Sequence, residues 1–141
     1  MKPDQEHPVL ELGPTESWNL LAGSELGRLA VSVGDIPEIF PINYLAHDGV
    51  VLFCTAEGSK LVNLTINRHV ALETGGFTDD FAWSVIVHGT AKILQNAVET
   101  EAAAKLPLQS WIPTLKYVFV TITPEKITGR RFARGPAPER W

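Results

Sequence analysis

Tight turns set between alternating apolar runs limit the folds open to this chain. Gly34-Asp35 and Asp48-Gly49 are two-residue connections of the kind that closes a β-hairpin, because such turns place residues at positive φ. In GRLAVSV (Gly27–Val33), Leu29, Val31 and Val33 share one face while Arg28, Ala30 and Ser32 share the other. The return run IPEIFPINYL (Ile36–Leu45) contains Pro37 and Pro41, which cannot donate to a ladder. That strand is therefore at an edge, bulged, or bonded in part to something else. The second turn leads into the apolar run Val50–Thr55.

Further along, Val70–Thr74 reads as a short strand closed by Gly75-Gly76, and Phe77–Ala82 as a loop with the acidic pair Asp79-Asp80. Trp83–Leu94 reads as the longest strand. Tyr117–Thr123 is a strand broken by Pro124-Glu125, and Ile127–Phe132 is the last one. Thr15 or Ser17 can start a short helix carrying Trp18, Leu20 and Leu21, and Ala97–Leu106 is a second helix. Residues 1–14, with three prolines, read as an N-terminal arm, and 133–141 as an irregular tail. The expectation is one mainly β domain over residues 1–141, with about seven antiparallel strands closed into a small barrel that hides its edges. The strands carry more apolar face than one barrel interior uses, which predicts a second buried face such as a dimer interface.

Composition narrows the function classes. The 141 residues are 45% hydrophobic and carry a net charge of -4, with Lys and Arg scattered. There is no electrostatic footprint for nucleic acid, so the ligand expected is small and held by a local positive site. Cys54 is the only cysteine, which excludes an internal disulfide and suits an intracellular, cytoplasmic setting. The N-terminus lacks the apolar core of a signal peptide, and no run is long enough to span a membrane.

Three segments are candidate sites. VVLFCTAEGSKLVNL (Val50–Leu64) reads as strand, turn and a helix running from Ser59 to about Asn67, with Leu61 and Leu64 inward. The first N–H groups of a helix are unpartnered and carry partial positive charge, so Thr55, Ser59 and Lys60 can converge on a phosphate. The same residues also read as a capped helix with a solvated Lys. In Phe40-Pro41-Ile42-Asn43 a Pro-interrupted strand leaves backbone groups for a flat, polar-edged ring, with Asn43 as donor and acceptor. The alternative there is an edge strand whose Asn43 faces water. Trp83, Ser84 and Trp111 are the third set; the tryptophans fit a core, and Trp111, in a Pro-containing loop, also fits a lid or interface. His7, His47, His69 and His88 lack metal-ligand spacing, so no metal is expected. Cys54 has no evident basic partner, and no nucleophile triad or glycine-rich dinucleotide loop is present.

Taken in order, GRLAVSV, FPINY, Asp48-Gly49, VVLFCTAEGSKL, VALETG, WSVIVHG and ITGRRF resemble the pyridoxamine 5′-phosphate oxidase-like flavin-binding proteins, the split-barrel flavoproteins, and most nearly the small-protein branch that includes the nitroimidazole-resistance proteins. The resemblance covers Gly27 to about Phe132. It implies an antiparallel split barrel, a homodimer, and FMN in clefts between subunits. It places the phosphate at Thr55, Ser59 and Lys60. The flavin ring falls against Pro41, Ile42 and Asn43, with Trp83 and Ser84 from the long strand and Trp111 approaching from the partner subunit. Arg130 resembles a late basic position near the cleft. The implied activity is that of an FMN-dependent oxidoreductase or oxidase acting on a small molecule. The alternative is a protein that holds a flavin, a deazaflavin or haem without turnover. Cys54 stands where nitroimidazole-resistance proteins often carry histidine, and GRRFARGPAPERW does not match the C-terminal pattern that grips a vitamin B6 phosphate. Neither of those two activities is therefore implied.

Overall fold

Period-two alternation becomes seven strands in the computed structural model, which describes residues 8–56, 61, 68–108 and 117–134. The elements are β1 (Val9–Leu12), α1 (Pro14–Ala22), β2 (Leu26–Val33), β3 (Ile36–His47), β4 (Val50–Ala56), β5 (Arg68–Phe77), β6 (Phe81–Ile93), α2 (Ala97–Ala104) and β7 (Tyr117–Ala133). Both predicted hairpin turns are present, with positive φ at Gly34, Asp48 and Gly49. Asn96 caps α2, its side chain accepting the Val98 N–H at 2.8 Å.

The sheet runs β1-β7-β4-β3-β2-β5-β6 and closes through a further β6–β7 pairing. All described ladders are antiparallel. β7 makes the closure possible because it is long enough to serve two neighbours on one edge. It pairs with β4 over Tyr117–Ile122 and with β1 over Gly129–Phe132, while β6 runs along its other edge. Leu29, Val31, Tyr44, Val51, Phe53, Leu72, Val85, Val87, Val120 and Ile122 fill the interior. Fully burying one such side chain is worth about 1.5–3 kcal/mol, so the inward stripes dominate the stability.

Helix α1 closes one end. Leu21 is fully buried, and the Tyr44 hydroxyl donates to its carbonyl oxygen at 2.7 Å. The helix approaches β7 so closely that a Cβ on Gly129 would collide with the Ser17 hydroxyl. Leu61, the one described residue of segment 57–67, is buried in the same core, as its inward placement requires.

Several boundaries differ from the sequence expectation. The arm of residues 1–14 contains β1, held by β7, and helix α1 begins at Pro14. β5 does not close at Gly75-Gly76 but continues to Phe77, so the loop shrinks to the turn before Phe81. The chain does not break at Pro124-Glu125. His88 pairs with Lys126 and Gly89 with Pro124, so Glu125 is an extra residue in a β-bulge and β7 runs on as the longest strand. Proline is tolerated there because a bulge interrupts the ladder anyway. Ala133, placed in the tail, is the last residue of β7.

Candidate functional site

β3 is the element on which the first site turns. It pairs with β2 from Ile36 to Asn43, but its ladder with β4 covers only Tyr44–His47. β4 continues to Ala56 against β7 instead. The two strands therefore part beyond Tyr44↔Phe53, and the split lies between Pro41–Asn43 on one side and Thr55 on the other. The prolines fit this arrangement. The Tyr44 N–H donates to Glu25 O on the β2 side at 2.9 Å. By antiparallel alternation, Pro37 and Pro41 turn their missing donors away from β2, toward the edge where no described strand pairs.

The three ring candidates on β3 are not equivalent. The Ile42 side chain is buried in the core. Pro41 and Asn43 point outward and border different hollows. One of about 540 Å³ is lined by Pro41, Arg28, Gly27, Gly75 and Thr74 beside the α1–β2 link. The other, about 330 Å³, is lined by Asn43, Tyr44, Leu45 and Pro107. Gly23, Ser24 and Glu25 line both. Both volumes lie within the roughly 300–1,000 Å³ of small-molecule pockets. Gly27 and Gly75 border the first one, each where the chain packs too closely for a side chain. A Cβ on Gly75 would stand 2.7 Å from Trp83 O, and one on Gly27 2.9 Å from Leu72 Cδ1.

Thr55 is buried on the inward face of β4, one residue from the strand end. Ser59 and Lys60, which follow, lie outside the described residues, as does Trp111. Trp83 and Ser84, adjacent in sequence, face opposite sides of β6. Trp83 packs against the core, so close to β5 that a Cβ on Gly76 would lie 2.8 Å from its Nε1. Ser84 lines an outer cleft of about 660 Å³ with Ile86, His88, Lys126, Thr128, Arg130 and the β1 residues Glu11 and Leu12. The register continues across strands: Asn43 pairs with Leu26, Gly75 with Ser84, Ser84 with Arg130, and Arg130 with Glu11. Ring-side and cleft-side residues thus share one outer sheet face. Cys54 is half-buried, and among the described residues no group of three His, Cys, Asp or Glu is placed to hold a metal.

Burial raises the Tyr44 hydroxyl pKa above its ordinary value, against smaller lowering contributions from hydrogen bonding with the Thr74 and Ser24 side chains. Tyr44 fixes α1 to β3 and so shapes the smaller hollow from below.

Sequence reasoning did not select Lys126 or Glu11. The bulge at Glu125 is the reason for the first. It reverses the alternation, so Lys126, Thr128 and Arg130 point outward although Val120 and Ile122, of the same parity, point inward.

Comparison with known proteins gives the family and agrees with the fold. The family model for pyridoxamine 5′-phosphate oxidase matches residues 14–131. A Corynebacterium glutamicum protein named for that oxidase superposes with a TM-score of 0.83 at 41% identity, covering 90% of this chain and 100% of that one. An FAD-binding protein from Mycobacterium smegmatis gives a TM-score of 0.78 at 37% identity, covering 88% and 98%. An uncharacterized Mycobacterium tuberculosis protein is 40% identical over 90 residues, 64% of this chain and 82% of its own length. With the closed antiparallel barrel, its split between β3 and β4 and a family match spanning most of the sequence, this chain belongs to the pyridoxamine 5′-phosphate oxidase-like family of flavin-binding-type split barrels.

Proposed function

We propose that the protein binds FMN and acts as an FMN-dependent oxidoreductase on a small molecule, as a cytoplasmic homodimer. The observation that carries this reading is the parting of β3 from β4. It sets Pro41 and Asn43 across a gap from Thr55, directly before the segment that holds Ser59 and Lys60. In this reading Thr55, Ser59 and Lys60 hold the phosphate. The outward faces of Pro41 and Asn43, the backbone at Ile42, and Ser84 hold the ring, with Trp83 backing β5 and Trp111 approaching from the partner subunit. The flavin supplies hydride and electron transfer when bound; the chain's own part is to bind it, orient it and keep water from one face. No side chain of the site is required as an acid or base.

Purified protein is expected to be yellow, with the spectrum of an oxidised flavin. Flavin released by denaturation is expected to be the mononucleotide. The M. smegmatis relative binds FAD, which makes the dinucleotide the second reading, and chromatography of the released flavin separates the two. Lys60→Ala is expected to weaken FMN binding by about 1.5–3 kcal/mol, the worth of a charge-assisted hydrogen bond. An unchanged affinity sinks the phosphate assignment. Anaerobic bleaching by a nicotinamide donor separates an enzyme from a holder of flavin, deazaflavin or haem.

A further inference from the structure

The outer cleft between β1, β6 and β7 carries, at the end away from Ser84, a Lys and a His that the proposed flavin site does not use. At one end Ser84 stands opposite Arg130, and Arg130 opposite Glu11. At the other end His88 stands opposite Lys126, with the pair Ile86 and Thr128 between. Four residue steps of strand separate the ends, roughly 13 Å along the sheet.

Three other arginines are engaged. Arg28 pairs with Glu73 at 3.2 Å, Arg131 with Glu16 at 3.2 Å, and Arg134 donates to Thr78 O while stacking over Phe77. The side chains of His88, Lys126 and Arg130 instead have no hydrogen-bond or ion-pair partner among the described residues. Glu125, the acid adjacent to Lys126, is occupied. Its carboxylate accepts from the Thr90 hydroxyl at 2.5 Å and lies 3.5 Å from His69 Nδ1. The bulge therefore turns Lys126 into the cleft and commits the neighbouring carboxylate elsewhere. An unpartnered ammonium and an imidazole at one end of a concave, partly apolar site attract an anion.

We propose that the His88–Lys126 end of this cleft seats the anionic group, a carboxylate or a phosphate, of the small molecule that reacts at the flavin. The identity of that reaction rests on the flavin reading above; the seat itself rests on the charge arrangement. The substrate class is then an anion with a compact body lying over Ile86 and Thr128, its reactive end toward Ser84.

The test uses benzoate and phenyl phosphate as probes and benzamide as the uncharged control. Binding is followed by calorimetry on the purified protein, with flavin content recorded from absorbance. Both anions are expected to bind, benzamide at least about tenfold more weakly, and rising salt to weaken the anions alone. Lys126→Gln is expected to lower anion affinity about tenfold, and Lys126→Glu further, with flavin content unchanged. The tighter of the two anions names the group. Benzamide binding as well as benzoate, or unaltered anion affinity in Lys126→Glu, overturns the seat. So does loss of flavin in step with loss of anion binding, because the charge then serves the cofactor. Lys126-dependent anion binding in a protein that takes up no flavin keeps the seat and overturns the flavin reading.

Discussion

Tyr44 shows how one residue serves both packing and site. Its side chain is buried, and its hydroxyl meets the buried carbonyl of Leu21 at the end of α1. Tyr44→Phe is expected to cost about 1–2 kcal/mol in urea unfolding, since the buried carbonyl loses its donor. The same group sets a pH dependence. Below about pH 10, the ordinary tyrosine value, folded and unfolded chains hold the proton alike. Above it the unfolded chain ionises first, because burial has raised the folded value. Stability therefore falls with rising pH in that window, and Tyr44→Phe is expected to remove that part of the slope. Ser17 presents the reverse case. It is fully buried, and its hydroxyl has no hydrogen-bond partner among the described residues. Ser17→Ala is expected to leave thermal stability unchanged or raise it by up to about 1 kcal/mol, because an orphan hydroxyl is costly to bury. Gly129→Ala, which drives a methyl into Ser17, is expected to cost about 1–3 kcal/mol. Combined with Ser17→Ala it should cost less.

The bulge in β7 does the most at the scale of elements. One inserted residue lets a single strand close the barrel with Val118, Val120 and Ile122 inward and still present Lys126, Thr128 and Arg130 to the outer cleft. Deleting Glu125 removes the phase change, so every residue on one side of it must move to the wrong face. A loss of several kcal/mol is expected, read as a collapse of the melting transition; a protein that melts unchanged would remove the bulge from this account. β1 has a different task. It covers the edge of β7 at Gly129–Phe132, which would otherwise be open. Removing residues 1–12 is expected to speed amide exchange at Gly129–Phe132 selectively, leaving the β5–β6 ladder protected.

At the scale of the whole molecule, ring closure buries the inward stripes and leaves apolar side chains on the outer face of β2 and β3. Leu26 and Ile39 are 50% and 66% exposed on that face, beside the small residues Ala30 and Ala71. Patches of this kind mark interfaces, and this one is where a second copy is expected. Leu26→Asp with Ile39→Asp is then expected to halve the particle mass in light scattering and to release flavin held between subunits. A wild-type chain that already runs as a monomer overturns the dimer.

The sequence by itself determined the turns, the β class and most strands, because two-residue turns and alternating side chains are local signals. It also marked FPINY and the Val50–Leu64 segment as two separate candidate sites, which the family resemblance joined into one. It gives a strand count of about seven, but through a different set: on local signals Val9–Leu12 reads as arm, and Tyr117–Phe132 as two strands parted at Pro124-Glu125. Only the tertiary structure decided those points. A four-residue strand such as Val9–Leu12 forms because β7 is there to receive it, and a proline stops a strand only where the ladder needs its N–H. The same cause hid part of the site. Trp83 and Ser84 divide between faces as alternation requires. The outward turn of Lys126 depends on a bulge that exists only against β6, and the gap between β3 and β4 depends on β7 drawing β4 aside. Local chemistry chose the strands; long-range pairing chose where they separate, and the candidate site lies at that separation.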